Sequence, residues 1–415
     1  MSIFTQIPKY INKNLTQTQA IYLSVLFNLF CYLIMFFRAL MGSAKRDWGY
    51  SEFLLNYSEG FIRRGLSGTV LLKIYEICGL DPYLVLTLLL STTLILILVL
   101  YYYLLKSTKV KASTIIFLSA NPLLLNAPFL SVTMFRKDWL IIVGLILHAF
   151  FVRLIVLGKI TPTKYIVFLV FILAYSQVII FTHEIVFLFV FIHYVLLRNI
   201  LSYLTNSEAK LVQRVYLFFI FIQMLTFVFL VKNRGTPDQV LGIAKSISSR
   251  FELGNINAIL AFGGTPSEII SQNGNLLNFS ENLSLYSVWF YIGPFLIFKV
   301  LRHDNLRTVF VSLIAALPIL TLFFPIGGDW GRWLVLLSFT LFILLVSNMK
   351  IVEVSPNTKP ELANSIKFLV RTKSFFVIVS LLLASLLFRV PVNNPSSIVD
   401  IWSGVAEILL QKITF

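Results

Sequence analysis

The chain has 415 residues, 58% of them hydrophobic and only 13% charged, with a mean hydropathy of +0.87. A soluble domain is nearer half apolar, with about a quarter of its residues charged, so a single water-soluble globule is excluded. The net charge of +16 would suggest nucleic acid in a soluble chain. Here Lys and Arg lie beside long apolar runs, which is the ordinary flank of a membrane span.

Those runs are continuous and about as long as a helix needs to cross a hydrocarbon core. Lipid offers no partner to backbone polar groups, so the spans must be helical. The alternating short strands of a membrane barrel are absent from the pattern. The fold class expected is therefore an all-α integral membrane protein, a single polytopic domain over 1–415. In chain order the spans read as 20–41, 83–105, 112–133, 139–158, 165–182, 185–198, 214–231, 284–301, 308–326, 333–349 and 374–390, about eleven transmembrane helices. The first run lacks a small-residue cleavage site and reads as an anchor rather than a signal peptide. Within 112–133, Asn121-Pro122 and Asn126-Ala127-Pro128 predict a broken helix, tolerated in membranes where it lines a cavity.

The distribution of Lys and Arg orients the chain. With the N-terminus cytoplasmic, the inside loops carry Lys106, Lys109 and Lys111, then Lys159 and Lys164, then Arg198, Lys210 and Arg214, then Lys299, Arg302 and Arg307, and finally Lys350 to Lys373, as the positive-inside rule requires. The pair 165–182 and 185–198 is read as a hairpin turning at His183-Glu184, because one long helix would break that charge pattern. The external segments are then loops at about 42–82 and 232–283 and a C-terminal tail at about 390–415. Inside the first loop, residues 66–80 are apolar yet hold Lys73 and Glu76, which predicts an interfacial amphipathic helix.

Five polar clusters fall at the outer ends of spans: Lys45-Arg46-Asp47-Trp48, Glu59 to Gly65, Arg136-Lys137-Asp138, His183-Glu184, and Asp329-Trp330-Gly331-Arg332-Trp333. Charges at a membrane are costly and mark function when they gather on one face. Asp47, and second to it Glu59, are candidate general bases for an incoming hydroxyl. Arg63 and Arg64 are candidates for holding phosphate oxygens in bidentate fashion, with lipid headgroups or ion pairing as their plainer use. Arg136 and Lys137 add cationic character. Asp138 suits a helix start. His183 and Glu184 are the one place where a histidine and a carboxylate adjoin on that face, and Asp329 and Arg332 are spaced to pair on a helix. His148, His183, His193 and His303 do not cluster, and Cys31 and Cys78 are the only cysteines. Neither a metal site nor any other cofactor is therefore expected, and His148 and His193 read as interior histidines.

On these residues the chain resembles bacterial envelope-polysaccharide membrane proteins: the O-antigen or capsule polymerase type (Wzy-like) and the wider GT-C glycosyltransferases. GT-C enzymes combine many spans with a long first external loop, interfacial helices and an acidic base soon after the first span, a layout matched by Asp47, the loop 42–82 and the segment 66–80. The acidic pair of that class is missing, since Asp47 lies between Arg46 and Trp48. Wzy-like polymerases hold a lipid-linked pyrophosphate with external arginines, which the resemblance places at Arg63, Arg64 and Arg332.

The resemblance implies glycosyl transfer or polymerisation from polyprenyl-(pyro)phosphate-linked sugars at the outer face of the bacterial inner membrane, for O-antigen, capsule or exopolysaccharide. Its partners would be the lipid-linked glycan, membrane lipids, and a flippase or chain-length regulator, with no nucleic acid. Two rivals stand beside it. One is a transporter or flippase of lipid-linked oligosaccharide, favoured by Pro122 and Pro128. The other is a non-catalytic membrane subunit of an envelope complex.

Overall fold

The computed structural model describes residues 8, 11–12, 15–42, 45, 48–121, 123–125, 135–252, 255–263, 290–301, 306–320 and 330–349. Among them the regular structure is helical and no β-strand forms. Six stretches are long and apolar enough to cross a membrane, which makes this a multi-pass helical membrane protein. They are α1 (Gln17–Leu40), α4 (Pro82–Lys106), α6 (Asp138–Val156), α7 (Pro162–Ile179), the stretch Glu184–Tyr203 containing α8 (Val190–Arg198), and α9 (Asn206–Lys232). Two shorter apolar stretches follow in α13 (Leu306–Leu320) and α14 (Trp330–Ser347).

Local chemistry sets several of these starts. Thr16 and Thr205 cap α1 and α9 in reciprocal capping boxes with Gln19 and Glu208. Asp81-Pro82 and Thr161-Pro162 open α4 and α7 with a side-chain cap and a proline that lacks the otherwise unsatisfied N–H.

Of the expected span 112–133, residues 112–121 and 123–125 are described, and among them α5 (Ala112–Ser119) is helical. The helix ends at Ala120, where Asn121 Oδ1 accepts from the Leu123 amide and draws the backbone into a turn. The segment expected to be interfacial is helical as α3 (Leu66–Cys78), closed by Gly79 in the left-handed conformation. Of the expected span 284–301, residues 290–301 are described, as a π turn at Tyr291–Phe295 running into α12 (Leu296–Val300). The expected span 374–390 and the C-terminal tail lie outside the described residues.

α6 is the centre of the bundle. It packs on α4, α7, α8 and α14, while α1 packs on α4 and α5, and α13 lies against α8 and α14. α9 is peripheral, touching α7 and the 3-10 turn Glu184–Phe189. A polar seam holds it: Gln223 Nε2 donates to Ser176 Oγ at 3.1 Å and Gln177 Nε2 to Thr226 Oγ1 at 2.7 Å. Bonds of this kind persist in lipid because the alternative is an unsatisfied amide.

The two ends of the bundle differ. At one, Gln17 donates to the carbonyls of Leu105 and Thr108. Arg153 there caps the end of α14 through the carbonyls of Val346 (2.7 Å) and Met349 (3.3 Å). At the other end α2 (Trp48–Phe53), α3, α10 (Pro237–Ser248) and α11 (Asn257–Leu260) form a cap, with α11 resting on both α2 and α10.

Candidate functional site

The cap end holds a buried charge cluster, and small residues bring it together. A Cβ on Gly49 would stand 1.7 Å from the Phe135 carbonyl oxygen, so only glycine lets α2 lie against the backbone leading into Arg136-Lys137-Asp138. Tyr50, Tyr83 and Phe135 lock the approach, with ring centroids 5.1–6.0 Å apart. Likewise a Cβ on Gly68 would meet the carbonyls of Leu54 and Leu55 at 2.4 and 2.2 Å. That contact seats α3 on the end of α2 and fixes the loop 54–65 between them.

In that loop Ile62 is fully buried, the Arg63 amide donates to the Asn233 carbonyl at 3.1 Å, and Arg64 has φ +65°. It is the one non-glycine residue among those described with positive φ. A side chain in this region costs on the order of 1 kcal/mol or more and persists only where its surroundings over-determine it.

They do so here. Arg64 Nε and Nη2 donate to the two oxygens of Glu184 at 2.6 and 2.8 Å, and Nη1 donates to Glu52 Oε1 at 2.8 Å. Arg63 Nη1 shares Glu184 at 3.3 Å. Lys137 Nζ donates to the Glu52 carbonyl at 3.1 Å and stands 3.8 Å from its carboxylate. Arg332 Nε lies 2.6 Å from Asp138 Oδ2, and its Nη2 lies 2.8 Å from His183 Nε2. Phe262 covers Arg63 and Arg64, with their guanidinium carbons 5.6 and 5.1 Å from its ring centroid, and Arg332 lies 4.6 Å over the Trp333 ring.

Four helical N-termini meet here, opening at Leu66, Asp138, Glu184 and Trp330. Their partial positive ends favour Asp138 and Glu184 as first residues and add to the positive field.

Burial alone pushes the Glu52 carboxyl up, but Lys137, Arg64 and Arg332 outweigh it and hold it well below the carboxylate range. Burial brings the Lys137 ammonium down to about 8 against the pull of Glu52. Burial lowers Arg64 too, yet Glu184 and Glu52 raise it above a free guanidinium. His183 is depressed by burial and then by Arg64, with Asp138 opposing.

The count of charges decides what the cluster can do. Among the described residues, five cations (Arg63, Arg64, Arg136, Lys137 and Arg332) face three carboxylates (Glu52, Asp138 and Glu184), a surplus of two positive charges with His183 neutral. Besides Arg332 Nε, which faces Asp138 Oδ2 at 2.6 Å, four buried N–H nitrogens in it have no hydrogen-bond partner: Arg63 Nε, Arg136 Nη1, His183 Nδ1 and Trp333 Nε1. An unsatisfied buried donor costs about 1–3 kcal/mol. Unmatched donors and unmatched positive charge together define an acceptor-only, anionic ligand.

Seven of the residues predicted from sequence are thus joined in one network: Arg63, Arg64, Lys137, Asp138, His183, Glu184 and Arg332. Arg136 adjoins it as the residue before Lys137, buried and with Nη1 lacking a hydrogen-bond partner. Glu59 is not part of it; it is exposed, its carbonyl accepting from Gln239. Asp47 and Asp329 lie outside the described residues. Glu52 was not foreseen. It sits in Gly49-Tyr50-Ser51-Glu52-Phe53, a sequence with no neighbouring charge to flag it.

The structure also reorders the arginines. Arg64, placed by the resemblance on phosphate, has three nitrogens on carboxylates and acts as an internal clamp, while Arg136 and Arg63 keep unmatched N–H groups. His148 and His193 are interior, hydrogen-bonded to each other through Nδ1 at 2.9 Å, with His148 Nε2 on the Tyr165 hydroxyl. The described residues hold no group of three or more His, Cys, Asp or Glu able to bind a metal.

Compared with protein-family models, curated proteins and solved structures, the chain matches none.

Proposed function

We propose that the cluster binds the phosphate or pyrophosphate of a polyprenyl-linked sugar and that the protein transfers its glycan, as a glycosyltransferase or polymerase of surface polysaccharide at the outer face of the bacterial inner membrane. The observation that carries this reading is the surplus of two positive charges among the described residues of the cluster, together with four buried donors there lacking acceptors. The ligand must reach the site at the end of an apolar bundle, which suits an anionic headgroup on a lipid tail. Lys106, Lys159, Lys164 and Arg198 lie near the opposite helix ends, the pattern of a cytoplasmic side.

In this reaction an acceptor hydroxyl oxygen bonds to the anomeric carbon of the donor sugar while the bond from that carbon to the phosphate oxygen breaks. The leaving phosphate or pyrophosphate keeps the electron pair, and the hydroxyl proton passes to a carboxylate. Arg136, Arg63 and Arg332 stabilise the charge that grows on the leaving group. Glu52, Asp138 and Glu184 each stand against a cation and are poor bases. Asp47 and Glu59 remain the base candidates; Glu59 has no ion pair among the described residues.

The test uses the full chain in lipid nanodiscs with a labelled polyprenyl-pyrophosphate oligosaccharide. The wild type is expected to bind it, to release polyprenyl pyrophosphate and to lengthen the glycan. Arg136→Ala and Arg63→Ala should each lower the rate about 100-fold or more. Equal binding of the uncharged polyprenol, or full activity in both variants, would overturn the proposal. Movement of the labelled lipid between leaflets without a new glycosidic bond would establish the flippase reading instead.

A further inference from the structure

The anion-binding reading leaves open how His183 acts, and the geometry around its ring answers this. The residue is fully buried. Nε2 lies 2.8 Å from Arg332 Nη2 and 3.4 Å from Asp138 Oδ1. A guanidinium only donates, so the shorter contact is a hydrogen bond only if Nε2 presents its lone pair. Asp138 would prefer a proton on Nε2, but 3.4 Å is beyond the ordinary hydrogen-bond distance, and a proton there would point at the N–H groups of Arg332. The neutral ring therefore carries its proton on Nδ1.

That nitrogen is buried and has no partner. Glu184 Oε2 lies 4.0 Å away and already accepts from Arg64 Nε at 2.6 Å. A second proton is opposed by burial and by Arg64 and Arg332, while Asp138 and the Glu184 carboxylate 4.0 Å from Nδ1 pull the other way.

We propose that Arg332 locks His183 as the Nδ1–H tautomer and that this N–H donates a hydrogen bond to an oxygen of the bound phosphate or pyrophosphate. His183 is then a neutral donor and not the base of the reaction, since its one lone pair is occupied by Arg332. The proposal rests on the anion-binding reading, and the two can fail separately.

The first test is solid-state NMR of the whole protein in nanodiscs, with carbonyl-labelled threonine and uniformly labelled histidine. Thr182 is the only threonine that precedes a histidine in the sequence, so the Thr182–His183 pair selects this ring without any substitution. The expected spectrum is the Nδ1–H tautomer, unchanged between about pH 5.5 and about pH 8, the range where an unperturbed histidine titrates. An Nε2–H tautomer, or an imidazolium appearing within that range, overturns the proposal.

The second test is binding of a polyprenyl pyrophosphate to nanodiscs carrying equal amounts of each variant. His183→Asn puts an amide N–H near the Nδ1 position, whereas His183→Gln puts it near Nε2. Binding should stay within about threefold of wild type for His183→Asn and fall about tenfold or more for His183→Gln, the range for losing a hydrogen bond to a charged group. Equal losses, or no loss in either, overturn the donor role. A wild type that binds no pyrophosphate lipid overturns the anion-binding reading and the donor role with it. Intact lipid binding alongside the wrong tautomer overturns the role of His183 alone.

Discussion

Glu52→Gln separates an organised charge cluster from a loose collection of surface charges. The Glu52 side chain is 5% exposed and faces Arg64 at 2.8 Å and Lys137 at 3.8 Å. Removing one member of a buried ion pair costs about 3–5 kcal/mol, because a charge is left without compensation. Three contacts soften the loss. Glutamine keeps an oxygen for Arg64, Arg64 keeps Glu184, and Lys137 keeps the residue 52 carbonyl. The lower end, about 3 kcal/mol, is therefore expected, and the surplus in the cluster rises from two charges to three.

Cys31 is buried and Cys78 exposed. In a Cys78→Ser background, a thiol-reactive dye therefore reports unfolding through Cys31. The glutamine variant should unfold at a lower denaturant concentration at neutral pH. The pH dependence has a fixed sign. The folded Glu52 carboxyl titrates well below its ordinary 4.5, so its stabilisation is complete above that value and lost as pH falls toward the folded one. The two proteins should converge in acid. Equal midpoints at neutral pH would refute the buried pairing.

Other outcomes follow from the same geometry. Gly49→Ala should destabilise the protein by about 1–3 kcal/mol, as overpacking does, and should weaken pyrophosphate-lipid binding, because Lys137 lies two residues beyond the Phe135 carbonyl that must move; wild-type unfolding and binding would contradict the close approach. For Lys137, folding lowers the ammonium from 10.5 to about 8, so between those values the unfolded chain binds more protons and stability rises with pH. Unfolding of wild type and Lys137→Met should diverge in favour of wild type across that window, and parallel curves would show that the lysine is not buried as charge. Glu59→Gln should leave pyrophosphate-lipid binding unchanged while lowering glycan transfer; if transfer survives, Glu59 is not the base.

The clusters that build the site were visible in the sequence because they interrupt apolar runs. A charged group at the edge of such a run has few placements that avoid lipid, so Arg63-Arg64, Lys137-Asp138, His183-Glu184 and Arg332 could be picked out without a structure. The helix of the first loop, at Leu66–Cys78, was legible for the same reason. The pairing was not. Arg63 and Glu184 are 121 residues apart and Lys137 and Glu52 are 85 apart, and no local spacing rule reaches across a bundle.

Nor could sequence rank the arginines, because Arg64 looks as available as Arg136 until two carboxylates are seen around it. Glu52 escaped notice because its neighbours are Ser51 and Phe53. Its importance comes from Gly49 lying on the Phe135 backbone, a contact made only once the helices assemble. The end of the helix at 112–119 was legible too, because Asn121-Pro122 interrupts the apolar run where Asn121 turns the chain.

The fastening of α6 to α14 has a mechanical consequence. Arg332 reaches Asp138 at one end of the pair, and Arg153 reaches the carbonyls of Val346 and Met349 at the other. Two rods pinned at both ends cannot slide past one another, so they form a stationary post. Among the described residues, the pieces left to part and admit a lipid headgroup are the stretch 48–65 and the helices α10 and α11. The stretch 48–65 is held to the turn Glu184–Phe189 through Glu184 and its two arginines, the same bonds an arriving anion would compete for. Loading and loosening would then be a single event, with the guest itself working the latch.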